Sequence, residues 1–140
     1  MIEKFVDPYN RKDLEALVAL YHPDAELSFF MFPSQHGLAA IRAIWRWDLT
    51  AFPDGKLKIL RQLTNGSIDM VEWTWTGTSM GPITLPSGES LSPTGRQATV
   101  MGMDTVEFEG GLITAHRLYF QELAIMTQMG LMPSPGAAPV

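Results

Sequence analysis

The side chains best suited to chemistry on a small molecule are concentrated in the second half of the chain. Asp104 and Glu72 are carboxylates set within runs of alternating polar and apolar residues. A carboxylate desolvated in such surroundings holds its proton more tightly and becomes an effective acid or base. Arg117, Tyr119 and Gln121 recur at every second position of the segment Ile113 to Gln121, and Thr74 follows Glu72 by two. Residues two apart on a strand share a face, so these groups form rows able to position or polarise a substrate oxygen. His36, just ahead of Gly37 at a predicted helix start, is a second acid/base group for a pocket mouth. The candidate catalytic residues are therefore Asp104, Glu72 and His36, and the candidate substrate-binding residues are Arg117, Tyr119, Gln121 and Thr74.

Gly77-Thr78-Ser79-Met80-Gly81 matches the G-x-S-x-G nucleophile elbow, and Asp104 and His116 follow in the order of a serine triad. That motif functions as a strand-to-helix turn in a parallel sheet. Pro82 and Pro86 follow its second glycine and no βαβ repeat is present, so the triad reading is set aside. His22, His36 and His116 lack the spacing of a metal site, and there is no cysteine. Neither a metal nor a cofactor is expected.

The elements that must carry these residues can be read from periodicity. Apolar residues from Phe5 to Tyr21 recur at helical spacing, with Pro8 expected to divide the run, Asp13 to cap its second part and His22-Pro23-Asp24 to stop it. Ala25 to Met31 reads as a strand. Gly37 to Phe52 reads as a helix with Leu38, Ile41, Ile44, Trp45 and Leu49 on its apolar stripe. Lys58 to Leu63 and Ser67 to Thr78 form a hairpin around Asn65-Gly66. After a loop over 80–92, Gln97 to Phe108 and Leu112 to Glu122 form a second hairpin. A helix from Leu123 to Met129 ends at Gly130. Residues 1–132 thus make one α+β domain, helices first and then a four-stranded meander, with 133–140 as a flexible tail.

Register decides what Asp104 meets. Pairing Phe108 with Ile113 sets Asp104 opposite Arg117 and gathers Phe108, Val106 and Ile113 on one apolar surface. A slip of one residue instead places Asp104 beside His116. The first register is favoured on the apolar grouping. Glu72, Thr74 and Thr76 alternate with Val71, Trp73 and Trp75; one set faces the cavity and the other packs outward or on a second subunit.

A net charge of −5 with scattered basic residues argues against nucleic acid. No apolar run approaches membrane-spanning length. The opening Met1-Ile2-Glu3-Lys4 has no leader character, so a cytoplasmic setting is expected. Nine methionines suggest an adaptable core or pocket.

An ordered series of short segments carries a family resemblance. Tyr9-Asn10 with Asp13-Leu14, Ala51-Phe52-Pro53-Asp54, Glu72-Trp73-Thr74 with Gly77-Thr78, Thr94-Gly95-Arg96, Gly111-Leu112-Ile113, Tyr119-Phe120 and Gln128-Met129-Gly130 span nearly the whole chain. Together they resemble the SnoaL-like polyketide cyclases and ester-cyclase-like proteins of the nuclear-transport-factor-2-like superfamily. The resemblance implies a cone-shaped α+β barrel with an apolar pocket, pairing as a homodimer through the outer sheet face. It also implies cofactor-free cyclase-, isomerase- or lyase-type chemistry through an enolate, on a small apolar carbonyl compound. The family's last-strand aspartate corresponds to Gln121, which cannot transfer protons, so the base falls to Asp104 or Glu72, or the chain is a binding protein without chemistry. Limonene-epoxide-hydrolase-like proteins share some surroundings, but their catalytic set would fall on Thr74, Glu72 and Gln121. Both comparisons imply that those three residues face the cavity.

Overall fold

The computed structural model describes residues 1–133 and 136, so the tail expected over 133–140 falls almost entirely outside the described residues. The elements are α1 (Glu3–Arg11), α2 (Leu14–Val18), β1 (Tyr21–Ser28), β2 (Gln35–His36), α3 (Leu38–Ala51), β3 (Lys56–Asn65), β4 (Ile68–Thr78), β5 (Ile83–Thr84), β6 (Ser90–Leu91), β7 (Gln97–Glu109), β8 (Leu112–Phe120) and α4 (Glu122–Gln128). Six strands form one sheet in the order β2-β1-β8-β7-β4-β3. The predicted meander makes four of its strands, β8-β7-β4-β3, and β1 extends it by pairing with β8 in parallel. The helices cover one face, giving the expected α+β class.

Local chemistry explains where the chain departs from its sequence pattern. Pro8 does not divide the first helix. It is the sixth of the nine helical residues, and its missing N–H removes one backbone bond, the one to the Lys4 carbonyl, without ending the helix. The break comes at Lys12, whose left-handed backbone (φ 63°) ends α1. Asp13 caps α2 as expected, its Oδ1 accepting the Ala16 N–H at 3.0 Å. Strand β1 begins at Tyr21, ahead of the predicted stop, and Pro23 lies in the irregular stretch of its ladder with β8.

The β7–β8 hairpin starts in the favoured register and then shifts by one residue, in the opposite sense to the slip considered from the sequence. Phe108 does pair with Ile113, but a bulge follows at once, so that Glu107 pairs with Ala115. One extra residue in one strand flips every later pairing. Val106 then faces His116, Thr105 faces Arg117 and Asp104 faces Leu118. The expected Asp104–Arg117 pairing is thereby replaced, and Asp104 turns inward with His116.

The same alternation separates the two sheet faces. Val71, Trp73, Trp75 and Gly77 of β4 are buried under the helices, as are Ala98, Val100, Asp104 and Val106 of β7. The opposite face carries cross-strand rows such as Arg61–Glu72–Met103–Tyr119 and Leu63–Met70–Thr105–Arg117. Of the nine methionines, Met126 and Met129 are buried as expected, whereas Met70, Met101 and Met103 stand on this exposed face.

Two glycines make room for the inner-face indoles. A Cβ on Gly102 would stand 2.3 Å from the Trp73 ring and 2.7 Å from the Phe120 Cβ, and one on Gly77 would stand 2.4 Å from the Trp75 ring. Each indole packs against backbone that only glycine leaves bare. Gly102→Ala should therefore lower unfolding stability by about 1–3 kcal/mol, as overpacking does. Urea denaturation checks this, and an unchanged midpoint would contradict the packing described.

Candidate active site

The inner sheet face and helices α1, α3 and α4 enclose a cavity of about 50 Å³. At about 10–15 Å³ per water, that is room for a few waters or a compact organic group. All four tryptophans of the chain, Trp45, Trp47, Trp73 and Trp75, line it together with phenylalanines that include Phe30 and Phe120. Phe30 adopts a left-handed backbone (φ 54°), and its ring stacks on Phe120 at 5.5 Å. A bulky residue in that conformation costs on the order of 1–3 kcal/mol, so surrounding packing must hold the ring in place.

Two carboxylates reach this apolar space, Asp48 and Asp104, at 5% and 4% exposure. Asp104 belongs to a continuous hydrogen-bonded chain. Trp45 Nε1–H donates to Tyr21 Oη at 3.2 Å, and Tyr21 Oη lies 2.7 Å from His116 Nδ1. His116 Nε2 lies 2.7 Å from Asp104 Oδ2, and Trp73 Nε1–H donates to Asp104 Oδ1 at 2.7 Å. Burial holds the Tyr21 phenol well above its usual pKa, so it keeps its proton. Only His116 Nδ1 is placed to accept that proton among the described residues. The network therefore assigns a neutral imidazole with hydrogen on Nε2, donating to an ionised Asp104. Two N–H donors thus hold the negative charge of Asp104 in place.

Asp48 is in the opposite situation. Tyr9 Oη–H donates to its Oδ2 at 2.7 Å, and Trp75 Nε1–H donates to Tyr9 Oη at 2.8 Å. No hydrogen bond is made to its Oδ1 among the described residues, and Asp48 lines the cavity. Burial raises the Asp48 carboxyl to about 6, against the weaker opposing pulls of the Tyr9 hydrogen bond and the Lys12 charge. Lys12 itself lies over the Tyr9 ring, 4.7 Å from its centroid, and donates to the Gly55 carbonyl.

Of the residues singled out from sequence, Asp104 alone reaches the cavity wall. Glu72 and Thr74 sit on the outer face, where Arg61 pairs with Glu72 at 3.1 Å and Thr74 donates to the Val100 carbonyl. Arg117 binds Glu107 at 3.0 Å, and Tyr119 is exposed in the same outer layer. The inward turn of Trp73 and Trp75 forces their neighbours outward. Gln121 precedes α4, and its Oε1 accepts the Met101 N–H at 3.1 Å, fastening the helix to the edge of β7. His36 is exposed in β2 and does not line the cavity. Ser79 is buried, but its Oγ accepts the Thr94 N–H and pins a loop, so it does not complete a triad with Asp104 and His116.

Comparison with known proteins places this architecture. A family model described as a SnoaL-like domain matches residues 2–116. The chain belongs to the SnoaL-like domain family. A protein named as a SnoaL-like polyketide cyclase from Jannaschia sp. CCS1 superposes with TM-score 0.81 at 18% identity, over 94% of this chain and 90% of that one. TsrD from Streptomyces laurentii superposes with TM-score 0.75 at 26% identity, over 94% and 92%. AclR from Streptomyces galilaeus, named as a hydroxylase, does so with TM-score 0.76 at 20% identity, over 96% and 81%. No curated protein matches the sequence. These neighbours share the fold, and the two that carry an activity in their names, a polyketide cyclase and a hydroxylase, differ in it, so the reaction has to be argued from this chain's own cavity.

Asp48 was missed in the sequence although its position was readable. It falls on the apolar stripe Ile41-Ile44-Trp45-Asp48-Ala51 of α3, where a carboxylate is out of place. Folded Asp48 releases its proton near pH 6, whereas an unfolded aspartate does so near pH 3.9. The native state binds the extra proton between those values, so this residue's contribution to stability falls as pH rises through them. Asp48→Asn should stabilise the protein at pH 7.5 by about 1–3 kcal/mol, with the difference from wild type vanishing near pH 4. Denaturation measured against pH checks this; a variant less stable at pH 7.5 would contradict it.

Proposed function

We propose that this SnoaL-like protein is a cofactor-independent acid/base catalyst of isomerase, lyase or cyclase type, acting on a small apolar carbonyl-bearing compound. The observation that carries the reading is the pair of carboxyls facing one apolar cavity from opposite environments. Burial raises the Asp48 carboxyl, while Asp104 has both oxygens engaged by N–H donors. Asp48, with a free oxygen and a pKa near neutrality, is the proton-transfer group. Asp104, backed by His116 and Trp73, is the fixed anion.

This assignment changes the mechanism that the family resemblance implied. An enolate needs donors where its charge develops. Every indole N–H on the wall already serves a protein acceptor, as does the Tyr9 hydroxyl. Protonated Asp48 is the remaining donor. A substrate oxygen would receive its proton, and Asp104 would stabilise positive charge developing on the attached carbon. Loss of a proton or of water from the substrate then completes isomerisation or elimination, with Asp48 recovering a proton from substrate or solvent.

Turnover of a panel of hydroxyketones and enones, followed by mass spectrometry, tests this. Asp48→Asn should lower kcat by roughly 10²–10⁴-fold, and the wild-type rate should fall as pH rises through about 6. Glu72→Gln, on the outer face, should leave the rate unchanged. Full activity in Asp48→Asn would exclude the acid role, and binding without turnover in the wild type would leave a ligand-binding protein.

The outer sheet face supports pairing of two copies. Met70, Met101, Met103 and Tyr119 expose a contiguous apolar surface, flanked by Leu63 at 74% exposure and by the Arg61–Glu72 ion pair. A twofold contact brings the same patch together from both sides and lets Arg61 and Glu72 exchange partners. Sedimentation equilibrium should give a dimer that Met103→Glu converts to monomer. A monomeric wild type at tens of micromolar would rule this out.

A further inference from the structure

The wall of the cavity is electrically one-sided. It carries two carboxylates, and no Lys, Arg or His lines it among the described residues. His116 stands behind Asp104 as a neutral imidazole by the hydrogen-bond assignment above. Among the described residues no ion pair reaches Asp48, and Lys12, over the Tyr9 ring at 4.7 Å from its centroid, only weakly opposes the effect of burial on that carboxyl. A buried carboxylate without a counter-charge is costly, and burying another anion or an oxygen-rich group beside it would add to that cost.

The aromatic wall has the same bias. Trp45 donates its N–H to Tyr21, Trp47 to the Thr84 carbonyl at 3.1 Å, Trp73 to Asp104 and Trp75 to Tyr9. With their N–H groups turned into the protein, the indoles have only ring surface left to offer a ligand. Ring faces carry negative quadrupolar potential and attract cations, tryptophan most strongly. Asp48, at 5% exposure, lines the same space, and no hydrogen bond is made to its Oδ1 among the described residues, so it adds an acceptor to the wall.

We propose that this cavity binds compact organic cations, a quaternary ammonium or a protonated tertiary amine, with Asp104 as counter-charge and the indole faces as walls. The inference rests on the cavity being the ligand site and on Asp104 being a fixed anion. It is independent of whether Asp48 transfers a proton. A bound ammonium group occupies the place where positive charge would develop in the proposed reaction, so such cations should also inhibit turnover.

Choline and 3,3-dimethyl-1-butanol have nearly the same shape and differ in charge, which separates cation recognition from shape. Isothermal titration calorimetry on the wild-type protein at pH 7.5 should show choline binding at least tenfold more tightly than the neutral alcohol. In Asp104→Asn, with folding checked by circular dichroism, that preference should shrink towards unity. Equal or weaker binding of choline by the wild type overturns the proposal without any variant being needed. If the alcohol still binds, the cavity stands as a ligand site and only its charge preference is lost. Undiminished turnover in Asp48→Asn, by contrast, would remove the acid role and leave cation binding untouched.

Discussion

A single hydrogen-bonded chain orders the inside of this protein. It runs from Trp45 on α3 through Tyr21 on β1, His116 on β8 and Asp104 on β7 to Trp73 on β4. The four strands follow one another in the sheet in that order, so the chain crosses it rung by rung and ties it to the helix above. A charge so deeply buried is tolerated only when each polar neighbour finds its partner, and a network satisfied throughout permits one arrangement of its members. Sheet register, the rotamers of Trp45 and Trp73 and the docking of α3 must agree before this network can close. The negative wall of the cavity and the inward-turned indole N–H groups both follow from this agreement.

Much of the architecture was legible because local signals and tertiary needs coincided. The Asn65-Gly66 and Gly110-Gly111 turns form the hairpins their residues specify, with Gly66 at φ 60° and Gly111 at φ 79°. The stripe of α3 and the cap at Asp13 also follow directly from spacing. The parallel pairing of β1 with β8 left no comparable trace, since it joins residues some ninety positions apart whose local patterns fit other partners equally well.

The site was less legible, and the reason is a single extra residue. Alternation correctly groups Arg117 with Tyr119, and Trp73 with Trp75, but it does not say which group faces the helices. Polar side chains suit a binding pocket, and indoles suit a subunit interface, so either orientation was chemically sensible. The bulge after Phe108 then reversed the partners of Asp104 while leaving the first pair of the hairpin intact. Asp48 shows the complementary case. Its place on an apolar helical stripe was visible, but its meaning depends on Tyr9 and Trp75, which only the fold brings to it.

The placement of the tryptophans has a practical consequence. All four stand on the cavity wall, so intrinsic fluorescence excited at the red edge of the protein band originates wholly from that wall, with no indole elsewhere to dilute it. The protein is its own optical reporter: any guest that enters, any water that leaves and any change in charge on the neighbouring carboxylates must register in the emission, without a label.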